Sequence, residues 1–181
     1  MTKKVNFKSD NNLQQHLHIA KTLVYDKCGF HFGELIVENE SQEYGACTFT
    51  LNRLKIKFRI SKHTPIKIGQ FVAIWKRNNE GITQPFDLTD NIDFVIISSQ
   101  NGNHVGQFIF PKSILLDKGI MTKSSKLGKR GIRVYPPWDT VSNIQAERTQ
   151  LWQTNYFLAI SKTGKVNLNL AKQLLSTSLQ K

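Results

Sequence analysis

The eight residues LKIKFRIS, at positions 54–61, alternate apolar and polar side chains without a break. Period two belongs to an extended chain, whose successive side chains leave on opposite sides at a rise of roughly 3.4 Å per residue. Leu54, Ile56, Phe58 and Ile60 therefore share one face, and Lys55, Lys57, Arg59 and Ser61 the other. A helix cannot produce that separation, because residues two apart do not lie on a common side of it. The chain must contain a sheet with an apolar face turned to a core, and an all-helical fold is excluded. Three cations spaced about 7 Å apart also repel one another. Acids on a neighbouring strand, an external anion or bulk water must accommodate them.

The other elements fall around this strand. Residues 44–51 read as its hairpin partner across Asn52-Arg53. Pro65 and Gly69-Gln70 are turn signals, and residues 71–75 form a near-continuous apolar run suited to a central strand covered on both sides. Residues 93–98 and 104–110 predict a second hairpin closed by Asn101-Gly102-Asn103; Pro111 stops it, and 113–118 predict one helical turn ended by Gly119. Helical spacing marks three longer stretches. The first is capped by Asp10-Asn11-Asn12, carries Leu13, Leu17, Ala20 and Val24, and ends near Gly29. The second runs from Ser142 through Ala146, Arg148, Leu151 and Trp152, and the third covers 166–180 with Leu168, Ala171, Leu174, Leu175 and Leu179. A last strand is expected over 156–160 and a turn at Thr163-Gly164-Lys165. The expected fold is α/β (α+β): a mixed central sheet flanked by helices, in one domain over 1–181 with a polar arm over 1–9. A chain of 181 residues with 39% hydrophobic content buries a core without disulfide staples, and it has no internal repeat or linker to divide it.

Several functional classes drop out. No run approaches the roughly 20 apolar residues of a bilayer span, and MTKKVNFKSDNN is too polar for a secretory signal, so a cytoplasmic chain without membrane insertion is expected. Cys28 and Cys47 lack disulfide or zinc spacing and read as buried thiols. His16 and His18 have no acid or cysteine at ligand spacing, and His63 and His104 stand alone. No glycine-rich phosphate loop or Gly-x-Ser-x-Gly elbow is present. Neither cofactor nor metal is expected, and the oligomeric state is left open.

Charge points elsewhere. Twenty-five Lys and Arg against thirteen Asp and Glu leave a formal +12, a surplus that attracts polyanions. Two windows, 53–77 and 112–133, hold fifteen of those twenty-five cations, with Asp117 as their only acid. Glu34, Glu38, Glu40 and Glu43 precede the first window, and Glu80, Asp87, Asp90 and Asp93 follow it. In the stretch GKRGIRVYPPWD, Ile132 and Val134 are expected to face a core while Arg133 and Tyr135 share the open side with Gly131. A guanidinium beside a phenol suits a phosphate and an exposed base or sugar, and Pro136-Pro137 stiffens the corner that carries Trp138. Trp138 reads either as a plug at the core edge or as stacking surface.

The strings YGACTF, FRISKHTPIKIGQFVAIWKR, QPFD, GQFIFPKSIL and KRGIRVYPPWD together resemble the MepB family of bacteria, over about residues 34–157. The resemblance implies a restriction-endonuclease-like α/β core, nucleic-acid binding, and association with an operon encoding a multidrug efflux transporter and its repressor. A nuclease would need carboxylates for a hard divalent cation and a lysine near the attacking water. None of the thirteen acids is followed by Lys two positions on, so the usual triplet is missing and a non-catalytic binder is expected. The alternatives are a nuclease with relocated carboxylates, drawn from Glu43, Asp87, Asp90 and Asp93, and a basic interaction module that docks an acidic partner. The expected nucleic-acid contacts, to DNA before RNA, are Lys55, Lys57, Arg59, Lys62, Lys76, Arg77, Lys129, Arg130 and Arg133. Tyr135 is the expected stacking residue, with Trp75 and Trp138 as further surfaces. These cations are expected to converge on one groove.

Overall fold

The structure, a computed structural model, describes residues 11–161 and 165–176. The alternating segment is strand β3 (Leu54–Ile60), paired antiparallel with β2 (Cys47–Leu51) so that Leu51 faces Leu54 across the turn. Asn52 supplies the left-handed φ of 54° that the turn requires, which its short polar side chain tolerates. The second hairpin is also present: β8 (Phe94–Asn101) and β9 (His104–Pro111) run antiparallel in unbroken register from Phe94–Pro111 to Asn101–His104. β3 and β8 lie side by side in parallel. With β1 (Ile36–Val37) and β11 (Phe157–Ala159) at the edges, the order is β1-β2-β3-β8-β9-β11, a mixed six-stranded sheet.

Each face of this sheet has its own covering. On one, Phe49, Ile56, Phe58, Ile96 and Ile109 pack against helix α1 (Asn11–Ala20), its wider continuation Lys21–Tyr25, and helix α4 (Leu168–Ser176). On the other, Val95, Ile97, Phe108 and Phe110 meet a three-stranded sheet and helix α3 (Ile144–Thr154) through Val72, Ile74, Ile132, Val134 and Trp152. Each Phe or Ile buried this completely contributes about 1.5–3 kcal/mol by leaving water. The double-faced sheet therefore outweighs any surface ion pair.

The smaller sheet has the order β10-β5-β4, with β4 (Lys62–His63), β5 (Gln70–Ala73) and β10 (Gly131–Val134) all antiparallel. The apolar run at 71–75 is thus central, but to the small sheet. A short ribbon of β6 (Trp75–Arg77) and β7 (Thr83–Pro85) follows, and helix α2 (Lys112–Asp117) is the predicted single turn, ended by Gly119 at φ 63°. α3 starts at Ile144, with Asn143 as its cap through a 2.8 Å bond from the Ala146 N–H. The expected N-terminal arm, most of the Thr163-Gly164-Lys165 turn and residues 177–180 of the last helix lie outside the described residues.

The small sheet changes the environment of β3. Lys55, Lys57 and Arg59 were all expected to contact nucleic acid, but only Lys55 is exposed; Lys57 is half-buried, and Arg59 and Ser61 are buried. Ser61 donates to Gln70 Oε1 at 2.7 Å and lies 2.7 Å from Ser99 Oγ, a buried polar link between the sheets. His16 is a core imidazole, its Nδ1 2.8 Å from Ser98 Oγ. Cys47 is buried and its thiol is pushed up to about 12 by burial, whereas Cys28 is only half-buried. Neither thiol has the depressed pKa of a nucleophile.

Candidate functional site

Half of the first basic window, Lys57, Arg59, Lys76 and Arg77, folds into its flanking acids. Glu38, just past β1, accepts from Lys57 Nζ at 2.9 Å and from Arg59 Nη2 at 2.7 Å. Arg59 is 1% exposed, so it cannot reach a ligand in solvent; its Nη1 also donates to the Phe58 carbonyl. Burial raises the Glu38 pKa, but the charges and hydrogen bonds of Arg59 and Lys57 outweigh it and hold the carboxyl below its usual range. Lys76 Nζ donates to Asp87 and Asp90, each at 2.7 Å. Partial burial disfavours that ammonium, yet the two carboxylates leave its pKa raised. The hydrogen bonds from Lys76 and Thr89 depress Asp87 to about 2. Arg77 pairs with Glu40 and lies over the Trp75 ring, 5.2 Å from its centroid.

Three of the four carboxylates considered for a relocated metal site, all but Glu43, are engaged elsewhere. Asp87 and Asp90 share Lys76, and Asp93 Oδ2 accepts the Lys55 backbone N–H at 2.7 Å. Among the described residues, no three His, Cys, Asp or Glu side chains are grouped to hold a metal. Lys55 and Lys62 are exposed, the latter with Nζ 4.9 Å from the Tyr44 ring centroid.

The second window behaves differently. Strand alternation puts Ile132 and Val134 in the core and turns Lys129, Gly131, Arg133 and Tyr135 toward a cleft of about 700 Å³. Its walls are β10, the 64–69 loop and one side of α3 from Gln145 to Gln153. Lys67, Lys118, Lys129 and Arg133 line it together with Tyr135 and Trp152, and no acid does. Lys67 and Lys129 have no carboxylate partner among the described residues; Lys118 meets the exposed Asp117 at 3.6 Å and lies 5.8 Å from the Trp152 ring centroid. The first turn of α3 also faces the cleft, adding the partial positive charge of a helix start.

Two glutamines of α3 stiffen this wall. Gln153, 1% exposed, accepts from the Tyr135 N–H at 2.9 Å and donates to the Arg133 carbonyl at 3.0 Å, so its amide pairs with the end of β10 as a strand would. Gln150 Nε2 donates to the carbonyls of Pro136 and Asp139 at 3.0 and 2.9 Å, pinning the proline corner. Trp138 is the core-edge plug: its ring stacks on His104 and meets Phe157 edge-on, both at 5.4 Å between centroids.

Arg133 has an additional role. Nη1 donates to the carbonyls of Gly69, Ile68 and Lys67 at 3.0, 3.3 and 3.4 Å, and Nη2 to Thr64 Oγ1 at 3.0 Å. Carbonyl oxygens occupy its donors without cancelling its charge, so it both gathers the loop and keeps the cleft positive. Gly69 completes the clamp: at φ 82° it lies under Tyr135, where an added Cβ would come within 2.6 Å of the ring.

Of the ten residues expected to contact nucleic acid, only Lys129, Arg133 and Tyr135 line this cleft. Arg130 leaves the opposite side of the strand, where Nε and Nη2 donate to the Thr83 carbonyl at 3.0 and 2.9 Å. Lys67, Lys118, Trp152 and Gln153 were missed as site residues. The signal for Lys67 was its place between Pro65 and Gly69, two turn residues that lift 66–68 out of any strand. Nothing local marks Lys118 or Trp152, which other elements bring in.

Comparison with known proteins agrees with this architecture. A family model described as MepB-like matches residues 38–159. A solved structure titled "Crystal Structure of MepB" superimposes with a TM-score of 0.70 at 34% identity, covering 74% of this chain and 89% of that one. No curated protein matches. The matched span runs from Glu38 at the first window's ion pairs to Ala159 in β11, and the chain belongs to the MepB-like family.

Proposed function

We propose that the chain binds nucleic acid, DNA before RNA, by holding the sugar-phosphate backbone in the cleft between β10, α3 and the 64–69 loop. Binding is non-catalytic and carries little base specificity. One observation supports this reading above all: Lys67, Lys118, Lys129 and Arg133, drawn from three separated parts of the chain, line one concave surface with no acid among its described lining residues. Like charges gathered on one surface repel, and a phosphate between them relieves that repulsion. Tyr135 and Trp152 add π-faces on which bases stack irrespective of sequence. Lys57, Arg59, Lys76 and Arg77 leave the list of contacts because acids hold them, and Arg130 because it ties β10 to β7. Lys55 and Lys62 stand outside the cleft as exposed cations. Action in the cytoplasm, beside an efflux operon, belongs to the same reading.

The test is a titration of labelled duplex and single-stranded oligonucleotides across a salt series. Each neutralised phosphate releases counterions, so log affinity against log salt is expected to fall with a slope of about 3. Binding that ignores salt, or no binding at low salt, overturns the proposal.

A further inference from the structure

The 64–69 loop presents two isoleucines to water on a rigid support. Ile66 is 93% exposed and Ile68 45%. Exposed isoleucines are ordinary on a surface when scattered, but these flank Lys67 on the lip of a cationic cleft. Pro65 restrains the loop's entry, the Arg133 guanidinium spans the carbonyls of Lys67, Ile68 and Gly69, and Gly69 sits under Tyr135. A segment gathered this firmly has already lost the chain entropy that burial of its tip would otherwise cost. What remains is apolar surface awaiting an apolar environment.

We propose that Ile66, with Ile68 behind it, enters the base stack of the strand whose phosphates the cleft holds, prying apart one base step; this rests on the nucleic-acid reading above. The surroundings favour that occupant over a lipid surface. The isoleucines border a concavity walled by β10 and α3, and Lys129 and Arg133 line its interior rather than its lip, an arrangement that suits a flexible chain better than a flat bilayer. The cations immediately around them fit phosphates on both sides of an opened step, and apolar wedges of this kind unstack bases at a cost of a few kcal/mol that a bent or single-stranded site lowers. Arg133 acts here as a positioning residue, setting the loop's height over the cleft. The preferred ligand is accordingly a nucleic acid that unstacks easily: single strands, mismatches or pyrimidine–purine steps rather than stiff duplex.

The experiment uses the full chain and oligonucleotides with an internal 2-aminopurine, whose emission rises when its stacking is lost. Wild type is expected to raise that emission on binding. Ile66→Ser, at a site too exposed to disturb folding, is expected to abolish the rise and weaken binding roughly tenfold while leaving the salt slope in place. Arg133→Lys, which loses the fork over three carbonyls, is expected to blunt the rise more than the affinity. Salt-dependent binding with no emission change in wild type, or an Ile66→Ser protein equal to wild type, overturns the wedge and leaves backbone binding standing. Absence of any oligonucleotide binding overturns both. A parallel arm with phosphatidylserine vesicles decides against the wedge if Ile66→Ser lowers vesicle binding and spares the oligonucleotide.

Discussion

The two basic windows have similar numbers of cations but are paired unequally: among the described residues four of the eight in the first meet carboxylates, against Lys118 alone of the seven in the second. In 53–77, Lys57 and Arg59 meet Glu38, Arg77 meets Glu40, and Lys76 meets Asp87 and Asp90. In 112–133, Lys129 has no carboxylate partner among the described residues, and the charge of Arg133 is met only by neutral oxygens. The difference lies in which acids the fold delivers. β1 runs beside β2, and β2 beside β3, bringing Glu38 to the polar face of β3; the ribbon of β6 and β7 turns back to place Asp87 and Asp90 at Lys76. Helix α3 packs against β10 but turns Gln145, Thr149 and Gln153 toward the cleft, and none of the described residues that line it is an acid. A dense run of cations is therefore no measure of free positive charge until its neighbours in space are known.

The largest expected effect tests the paired window. Glu38→Ala leaves Arg59 buried without its anion and should cost about 3 kcal/mol or more in urea denaturation, the range for breaking a buried pair. A cost near that of a surface substitution would show Arg59 to be hydrated. Next comes the cleft, to which the first window contributes Lys67 and the second Lys129: Lys67→Glu combined with Lys129→Glu should weaken oligonucleotide binding at least about tenfold and lower the salt slope by about 2, while changing stability by less than roughly 0.5 kcal/mol. If the double variant binds like wild type, the cleft is the wrong surface.

A third effect separates the windows by pH. Asp87 is held at about 2 in the folded protein, below an unfolded value of about 3.9. The stability it contributes is present above about pH 4 and disappears as pH falls toward 2. Acid titration followed by circular dichroism should show this loss steepened by Glu38, and Lys76→Met should flatten the Asp87 part. The smallest effect is expected for Arg77→Gln: its pair with Glu40 is exposed at 46% and 38%, so stability should fall by at most about 1 kcal/mol and oligonucleotide affinity should hardly move.

Much of the architecture was legible because it rests on local patterns. The alternation at 54–61, the turn at Asn52 and the hairpin at 101–104 are each set by residues a few positions apart, and the structure keeps all three. The side-sharing of Arg133 and Tyr135 opposite Ile132 and Val134 was equally local. The candidate site was only partly legible. Alternation said that Arg59 leaves the apolar face of β3, but could not say that a second sheet would close over that other face and bury it. Segregation of the acids on either side of the first window was itself the mark of pairing, since hairpins fold such flanks back onto what they enclose.

Residue order alone established a β-rich single domain with helices at both ends, a strongly cationic surface and a stiffened proline corner, because periodicity, turn chemistry and net charge need no knowledge of distant contacts. Folding chose which cations remain available. Glu38 neutralises Arg59 from 21 residues away, and Lys67 joins Arg133 through loop carbonyls 64 to 66 positions distant. Electrostatic energy depends on separation in space and on burial, and along a chain that doubles back on itself neither follows from position in the sequence.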